Sequence, residues 1–171
     1  MTRSADINPR FVPFARGDTE QSIVERFRQQ AHRYPAHPAI ESLYESLTYS
    51  ELDSQSNRLA NLLLAHNEGK MSQGPVALLF GHNPSMVIAM LGVLKAGKSY
   101  LPLDLRWPVT RLKEVLTHSQ SRLLLTEDAC EEIAKEAMRP LPAVLNTSRL
   151  PEEISEAEPD VVIPPDQLAY I

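Results

Sequence analysis

Apolar positions along the chain change period several times, and each change marks an element. Ile23, Phe27, Ala31 and Tyr34 recur at helical spacing, and Pro35 ends that helix. Ala39–Ser42 and Ser46–Thr48 read as short strands around a turn. Thr48 or Ser50 caps the next helix, with Glu51 placed to complete a capping box from Thr48. Leu52, Leu59, Ala60 and Leu63 give that helix an apolar stripe as far as about His66.

After a loop from Gly69 to Gly74, Pro75–Phe80 is apolar without alternation, as suits a parallel strand covered on both faces. Asn83 and Pro84 open a helix that runs through the uncharged stretch Met86–Leu94. Lys95 lies in its last turn as a cation favouring the dipole, and Gly97 is its left-handed C-cap residue. Ser99–Leu103 is the next strand, Pro108 opens a helix to about His118, and Arg122–Thr126 is a further strand. Asp128 with Glu131 is expected to cap a helix that ends near Met138. The order strand, helix, strand, helix, strand predicts an α/β fold, a mainly parallel sheet with flanking helices.

The two ends read differently. Residues 1–18 carry Pro9 and Pro13 with little periodicity and are expected to form an extended arm, fixed to the body by Phe11, Val12 and Phe14. From Pro140 to Asp166, six prolines and the acidic residues Glu152, Glu153, Glu156, Glu158 and Asp160 predict a surface loop, with one short strand at Ala143–Leu145. Gln167–Ile171 has the pattern of a strand that stops in mid-course.

Composition narrows the class. An apolar fraction of 43% and a net charge of −5 suit an ordinary globular protein and argue against duplex nucleic acid, which needs a basic stripe. The longest apolar run, Met86–Leu94, is too short to span a bilayer, and no apolar signal-peptide core follows Met1–Asp6. Cys130 is the only cysteine, so no internal disulfide can form and a reducing, cytoplasmic compartment is expected.

One segment supports two incompatible chemistries. Gly92–Ser99 reads G-V-L-K-A-G-K-S and matches the phosphate-loop pattern at every fixed position. A phosphate loop needs the order strand, loop, helix, so that amides and a helix N-terminus face the phosphates. Here the predicted order is helix, glycine, strand, which turns carbonyls toward Lys98. Lys95 and Lys98 are therefore read as helix-end cations and not as phosphate ligands. His32, His37, His66, His82 and His118 show no metal-ligand spacing. Cys130 has no local base and is read as packing, Glu131, Glu132 and Glu136 as a solvated helix face, and Tyr49 and Tyr100 as packing residues. Trp107 is a candidate for facing a neighbouring domain.

Five segments together resemble, in order, the N-terminal part of adenylate-forming (AMP-binding) ligases, most of all amino-acid adenylation domains of nonribosomal peptide synthetases. They are Phe27–Ala31 with Tyr34-Pro35 and Pro38–Ile40; Leu47–Leu52 with Asn57–Ala60; Val76–Leu79; Leu94–Asp104 with Pro108 and Arg111-Leu112; and Asp166–Ile171. The second and fourth match the core motifs L-T-Y-x-E-L and L-K-A-G-x-x-Y-x-P-L-D. Asn67–Gly74, Lys98 and Leu105–Trp107 depart from the family pattern, chiefly in loops.

The resemblance implies that residues 19–171 are the first part of a large adenylation domain, cut before the phosphate-binding loop. It implies ATP and Mg²⁺ for the complete enzyme, formation of an acyl-adenylate, and a carrier protein bearing phosphopantetheine as acceptor. It assigns no catalytic, nucleotide-binding or metal-binding residue within 1–171, and makes the remainder of the adenylation domain the first partner. On this reading the chain is expected to be inactive on its own; a fatty-acyl or aryl-CoA ligase fragment and a non-catalytic truncated interaction module stay open as alternatives.

Overall fold

The computed structural model describes residues 16–42, 45–65, 74–139, 143–151 and 153–171. The apolar anchors expected in the arm (Phe11, Val12, Phe14) and most of the 69–74 loop lie outside them. Arg16–Glu20 forms a 3₁₀ turn, so the stretch to residue 18 is not wholly extended.

Helix α1 (Ile23–Arg33) is capped by Ser22, whose side chain accepts from the Glu25 amide. Its buried face is the expected one in part: Ala31 is buried, with Val24 beside it, and Phe27 packs on Tyr49, whereas Ile23 is 55% exposed. Strands β1 (Pro38–Glu41) and β2 (Ser46–Thr48) pair antiparallel and lead into α2 (Tyr49–Ala65). The capping box forms as expected: the Thr48 amide donates to Glu51 Oε2 at 2.8 Å and the Glu51 amide to Thr48 Oγ1 at 3.2 Å.

Four parallel strands follow in the order β4-β3-β5-β6, comprising β3 (Val76–Leu79), β4 (Tyr100–Pro102), β5 (Leu123–Thr126) and β6 (Val144–Asn146). Alternation along β3 decides which helix covers which face. Val76 and Leu78, with Leu123 and Leu125, lie under α2 and α3 (Pro84–Lys95). Ala77, Leu79 and Leu124 lie under α4 (Val109–His118) and α5 (Glu131–Met138). All four residues of β3 are buried, which is why its sequence shows no polar alternation. Each fully buried leucine here contributes about 1.5–3 kcal/mol of apolar burial.

Two boundary expectations fail. Asp128 does not cap α5: Asp128–Cys130 is a separate 3₁₀ turn, Cys130 holds the cap position, and Asp128 Oδ1 instead accepts from Asn146 and Arg149. The C-terminal segment makes only an isolated parallel bridge, Tyr100 with Tyr170, on the outer edge of β4. The Tyr100 amide donates to the Ala169 carbonyl at 3.0 Å and the Ile171 amide to the Tyr100 carbonyl at 3.1 Å.

Between β6 and that bridge, residues 150–151 and 153–161 cross the helix layer as a strap. Arg58 donates to the Leu150 and Pro151 carbonyls at 3.2 and 2.6 Å, and Asn61 to those of Ser155 and Ala157 at 2.8 and 2.9 Å. Arg28 of α1 pairs with Glu158 at 2.9 Å. The acidic, proline-rich composition that marked a loop thus belongs to a segment tied down through its carbonyls.

Candidate functional site

The phosphate-loop match is the first place to test for chemistry. Gly97 adopts φ +71°, its amide donates to the Leu94 carbonyl at 2.9 Å, and the Lys98 amide donates to the Val93 carbonyl at 3.1 Å. This pair of bonds closes a Schellman motif at the end of α3. Both amides that would have to face a phosphate are spent on the helix. Gly92 serves packing: a Cβ there would lie 2.8–2.9 Å from three atoms of Leu59, so α2 and α3 touch through its missing side chain.

In open parallel sheets ligands collect beyond the carboxyl ends of the strands, at the point where the order reverses. Here that point lies between β3 and β5, and Glu127 fills it. Its carboxylate accepts from the Gly81 amide at 2.8 Å and from Asn83 Nδ2 at 3.0 and 2.8 Å, while Asn83 Oδ1 caps α3. Beside it, Phe80, His82, Met86 and Pro102–Trp107 line an open cleft of about 320 Å³. Its one carboxylate is already committed. Arg106 donates to both oxygens of Asp104, through Nε at 3.0 Å and a terminal nitrogen at 2.6 Å. These bonds hold the Asp104 carboxyl down at about 2, well below its ordinary value of 3.8. Trp107, expected to face a neighbour, is 37% exposed at the rim, with the Arg111 guanidinium 5.9 Å from its ring centre.

Cys130 packs in the core beneath α5, 3.9 Å from Glu127 Oε1. Burial first, then the neighbouring carboxylate, raises its thiol pKa, the opposite of what a nucleophile requires. Glu132 is solvated as expected, but Glu131 turns partly inward to Lys135, Asn146 and Arg149. Tyr49 lies against Phe27 and Tyr100 against Tyr170, in keeping with packing roles. Among the described residues no three His, Cys, Asp or Glu side chains converge as metal ligands, and no described helix is long and apolar enough to cross a membrane.

The cluster that sequence reasoning missed surrounds Lys95. It sits in the last turn of α3 as a helix-end cation, as expected, and its side chain is wholly buried, at 0% exposure. Its ammonium donates at 2.7 Å to each of Asp53 Oδ1, Ser56 Oγ and Asn57 Oδ1, with the Asp53 carbonyl at 3.1 Å. The Phe27 ring centre lies 5.1 Å away. Three protons meet three short acceptors, the full capacity of an ammonium. Ser56 can accept because its own hydroxyl donates to the Leu52 carbonyl at 2.6 Å. Loss of water lowers the Lys95 pKa, the Asp53 carboxylate opposes that shift, and the Arg28 guanidinium adds to it. A signal existed: Asp53, Ser56 and Asn57 stand at i, i+3 and i+4 on α2, one polar patch on a buried face.

The described residues thus offer a packed scaffold, an occupied switch point and a charge buried for structural reasons. They show no nucleophile–base pair and no open ring of phosphate donors.

The family model described as AMP-binding enzyme matches residues 27–171. Surfactin synthase subunit 1 of Bacillus subtilis is 35% identical over 132 residues, 76% of this chain and 4% of that protein. Tyrocidine synthase 3 of Brevibacillus parabrevis is 33% identical over 153 residues, 89% of this chain and 2% of that protein. The chain therefore spans a small fraction of the relatives it matches. Among solved structures, the AMPPNP-bound form of the nonribosomal peptide synthetase FmoA3 superposes with a TM-score of 0.74 at 29% identity, over 86% of this chain and 15% of that one. The N-terminal subdomain of Klebsiella oxytoca NpsA, 22% identical, shares the fold with a TM-score of 0.75 over 92% of this chain and 39% of that one.

Proposed function

The chain belongs to the AMP-binding enzyme family, the adenylate-forming ligases, and on that premise we propose that it is the front of an adenylation domain that activates an amino acid. In the complete enzyme the carboxylate attacks ATP, gives an aminoacyl-adenylate and releases pyrophosphate, and the acyl group passes to the thiol of a carrier protein. ATP and Mg²⁺ belong to that complete enzyme, because the transferring phosphate needs positive groups around it. On this reading the chain contributes the scaffold against which the remainder of the domain packs. The amino-acid assignment rests on the peptide synthetases among its relatives.

One observation carries the claim that residues 1–171 do not hold the nucleotide by themselves: the Gly97 and Lys98 amides are bonded back to Leu94 and Val93. The test is ATP–pyrophosphate exchange by the isolated chain with a panel of amino acids, alongside calorimetric titration with ATP. Neither exchange nor a heat of binding is expected. Substrate-dependent exchange, or ATP binding abolished by Lys98→Ala, overturns the reading.

A second reading has its own support. Val162, Leu168, Tyr170 and Ile171 are apolar and exposed, as suits a module that works by association. Sedimentation velocity separates the two: concentration-dependent association through these residues favours the module, and a monomer that binds no hydrophobic dye argues against it.

A further inference from the structure

The L-K-A-G segment brings its lysine and its glycine to the same neighbour, the strap. Asn57 is the link. Its carboxamide oxygen accepts from Lys95 Nζ at 2.7 Å, while its Nδ2 donates to the Glu156 carbonyl at 3.1 Å. An ammonium has no lone pair, so Asn57 cannot present its NH₂ group to Lys95. The buried charge therefore fixes which end of the amide faces the strap. Two residues beyond Lys95, Gly97 leaves room for Val161, whose Cγ1 would stand 3.1 Å from a Cβ at that position. The strap then delivers its C-terminal end to the edge of β4, where Tyr100 pairs with Ala169 and Ile171.

We propose that Lys95 is a positioning residue: a buried pin that sets the Asn57 carboxamide, through it the strap, and so the placement of residues 167–171 on the sheet edge. An ordinary stabilising lysine would serve the α2–α3 contact alone. This one reaches a segment some sixty residues further along through a single oriented amide. Asn61, which holds the Ser155 and Ala157 carbonyls directly, is a second tether that does not pass through Lys95. The value of the pin to an adenylating enzyme rests on the ligase reading. The coupling itself is measured without nucleotide, so the two can fail separately.

Amide hydrogen exchange on the whole chain provides the test, with Asn57→Ala, Lys95→Met, their double variant and Asn61→Ala. In Asn57→Ala, loss of one buried hydrogen bond is expected to speed exchange of the Val161, Tyr100 and Ile171 amides by about tenfold, with β5 amides unchanged. Lys95→Met is expected to do the same, and the double variant to go no further than Asn57→Ala alone, since both remove one relay. Asn61→Ala combined with Lys95→Met should multiply the two effects, because the tethers are independent. Exchange in the strap within twofold of wild type for Asn57→Ala overturns the proposal. So does multiplication of the Lys95 and Asn57 effects. Should Lys95→Met loosen the whole fold, Ser56→Ala, which removes one of the three short acceptors, takes its place. The same merging with Asn57→Ala is then expected, and multiplication again refutes.

Discussion

Asp53→Ala is expected to be among the most damaging single changes on the surface of α2, and more damaging than removal of the lysine it pairs with. The asymmetry follows from exposure. Lys95 is fully buried, whereas the Asp53 side chain is 25% exposed. Truncating Asp53 leaves an ammonium in the core with only neutral acceptors, and removing one partner of a buried pair costs about 3–5 kcal/mol. Lys95→Met fills the same space without charge and leaves a carboxylate that water can reach. Its expected cost is the unmet acceptors of Ser56 and Asn57, about 1–2 kcal/mol. Urea denaturation followed by fluorescence of Trp107, the only tryptophan, reads both. With a slope of about 2 kcal/mol per molar urea, Asp53→Ala should lower the midpoint by about 1.5–2.5 M and Lys95→Met by less than about 1 M.

The pH dependence has a fixed sign. The folded-state pKa of Lys95 lies below its ordinary value of 10.5, so between those two values the unfolded chain binds more protons and stability rises with pH. Without Asp53 the folded pKa falls further, the window widens downward, and the deficit of Asp53→Ala shrinks from pH 7 toward pH 10. A Lys95→Met variant less stable than Asp53→Ala refutes the reasoning, and so does a deficit that grows with pH.

Other outcomes follow from single contacts. Gly92→Ala should cost about 1–3 kcal/mol, because its Cβ would press on the fully buried Leu59. Gly97→Ala should cost at least about 1–2 kcal/mol from its left-handed φ, with Val161 Cγ1 3.1 Å from the new Cβ adding to it; thermal unfolding of either variant at the wild-type midpoint would refute the reasoning for that glycine. By NMR titration Asp104 should ionise near pH 2 and move up toward 3.8 in Arg106→Ala. The stabilisation from its depressed pKa is present above 3.8 and lost as pH falls through about 2, and an unshifted midpoint in the variant would remove Arg106 as the cause. Cys130, buried and with its thiol pKa raised, should react with a disulfide reagent only as fast as the fold opens, accelerating in urea; immediate labelling of the native chain at pH 8 would contradict its packing.

Much of this molecule is legible along the chain. Thr48 with Glu51, Asn83 with Pro84, and Gly97 each announce a helix end through bonds made within four residues, and each end forms as read. Val76–Leu79 announces a strand covered twice over because burial on both faces removes any polar alternation. Family membership is legible for the same reason: its motifs are contiguous words. Asp128 misled because a capping residue and a surface ligand have the same composition, and Asn146 and Arg149, which claim it, arrive from another element. Ile23 misled because helical spacing fixes a stripe but not which edge of it meets a neighbour.

The phosphate-loop letters of Gly92–Ser99 are resolved by both sources. Sequence alone determined that they close a helix, since Asn83, Pro84 and Gly97 already order the segment as helix, glycine, strand. Only the tertiary structure decided what the lysine in their midst does. Whether a cation at a helix end is solvated or buried depends on what the next helix presents to it. Here α2 presents Asp53, Ser56 and Asn57 at bonding distance, and that meeting of two helices is written in neither one alone.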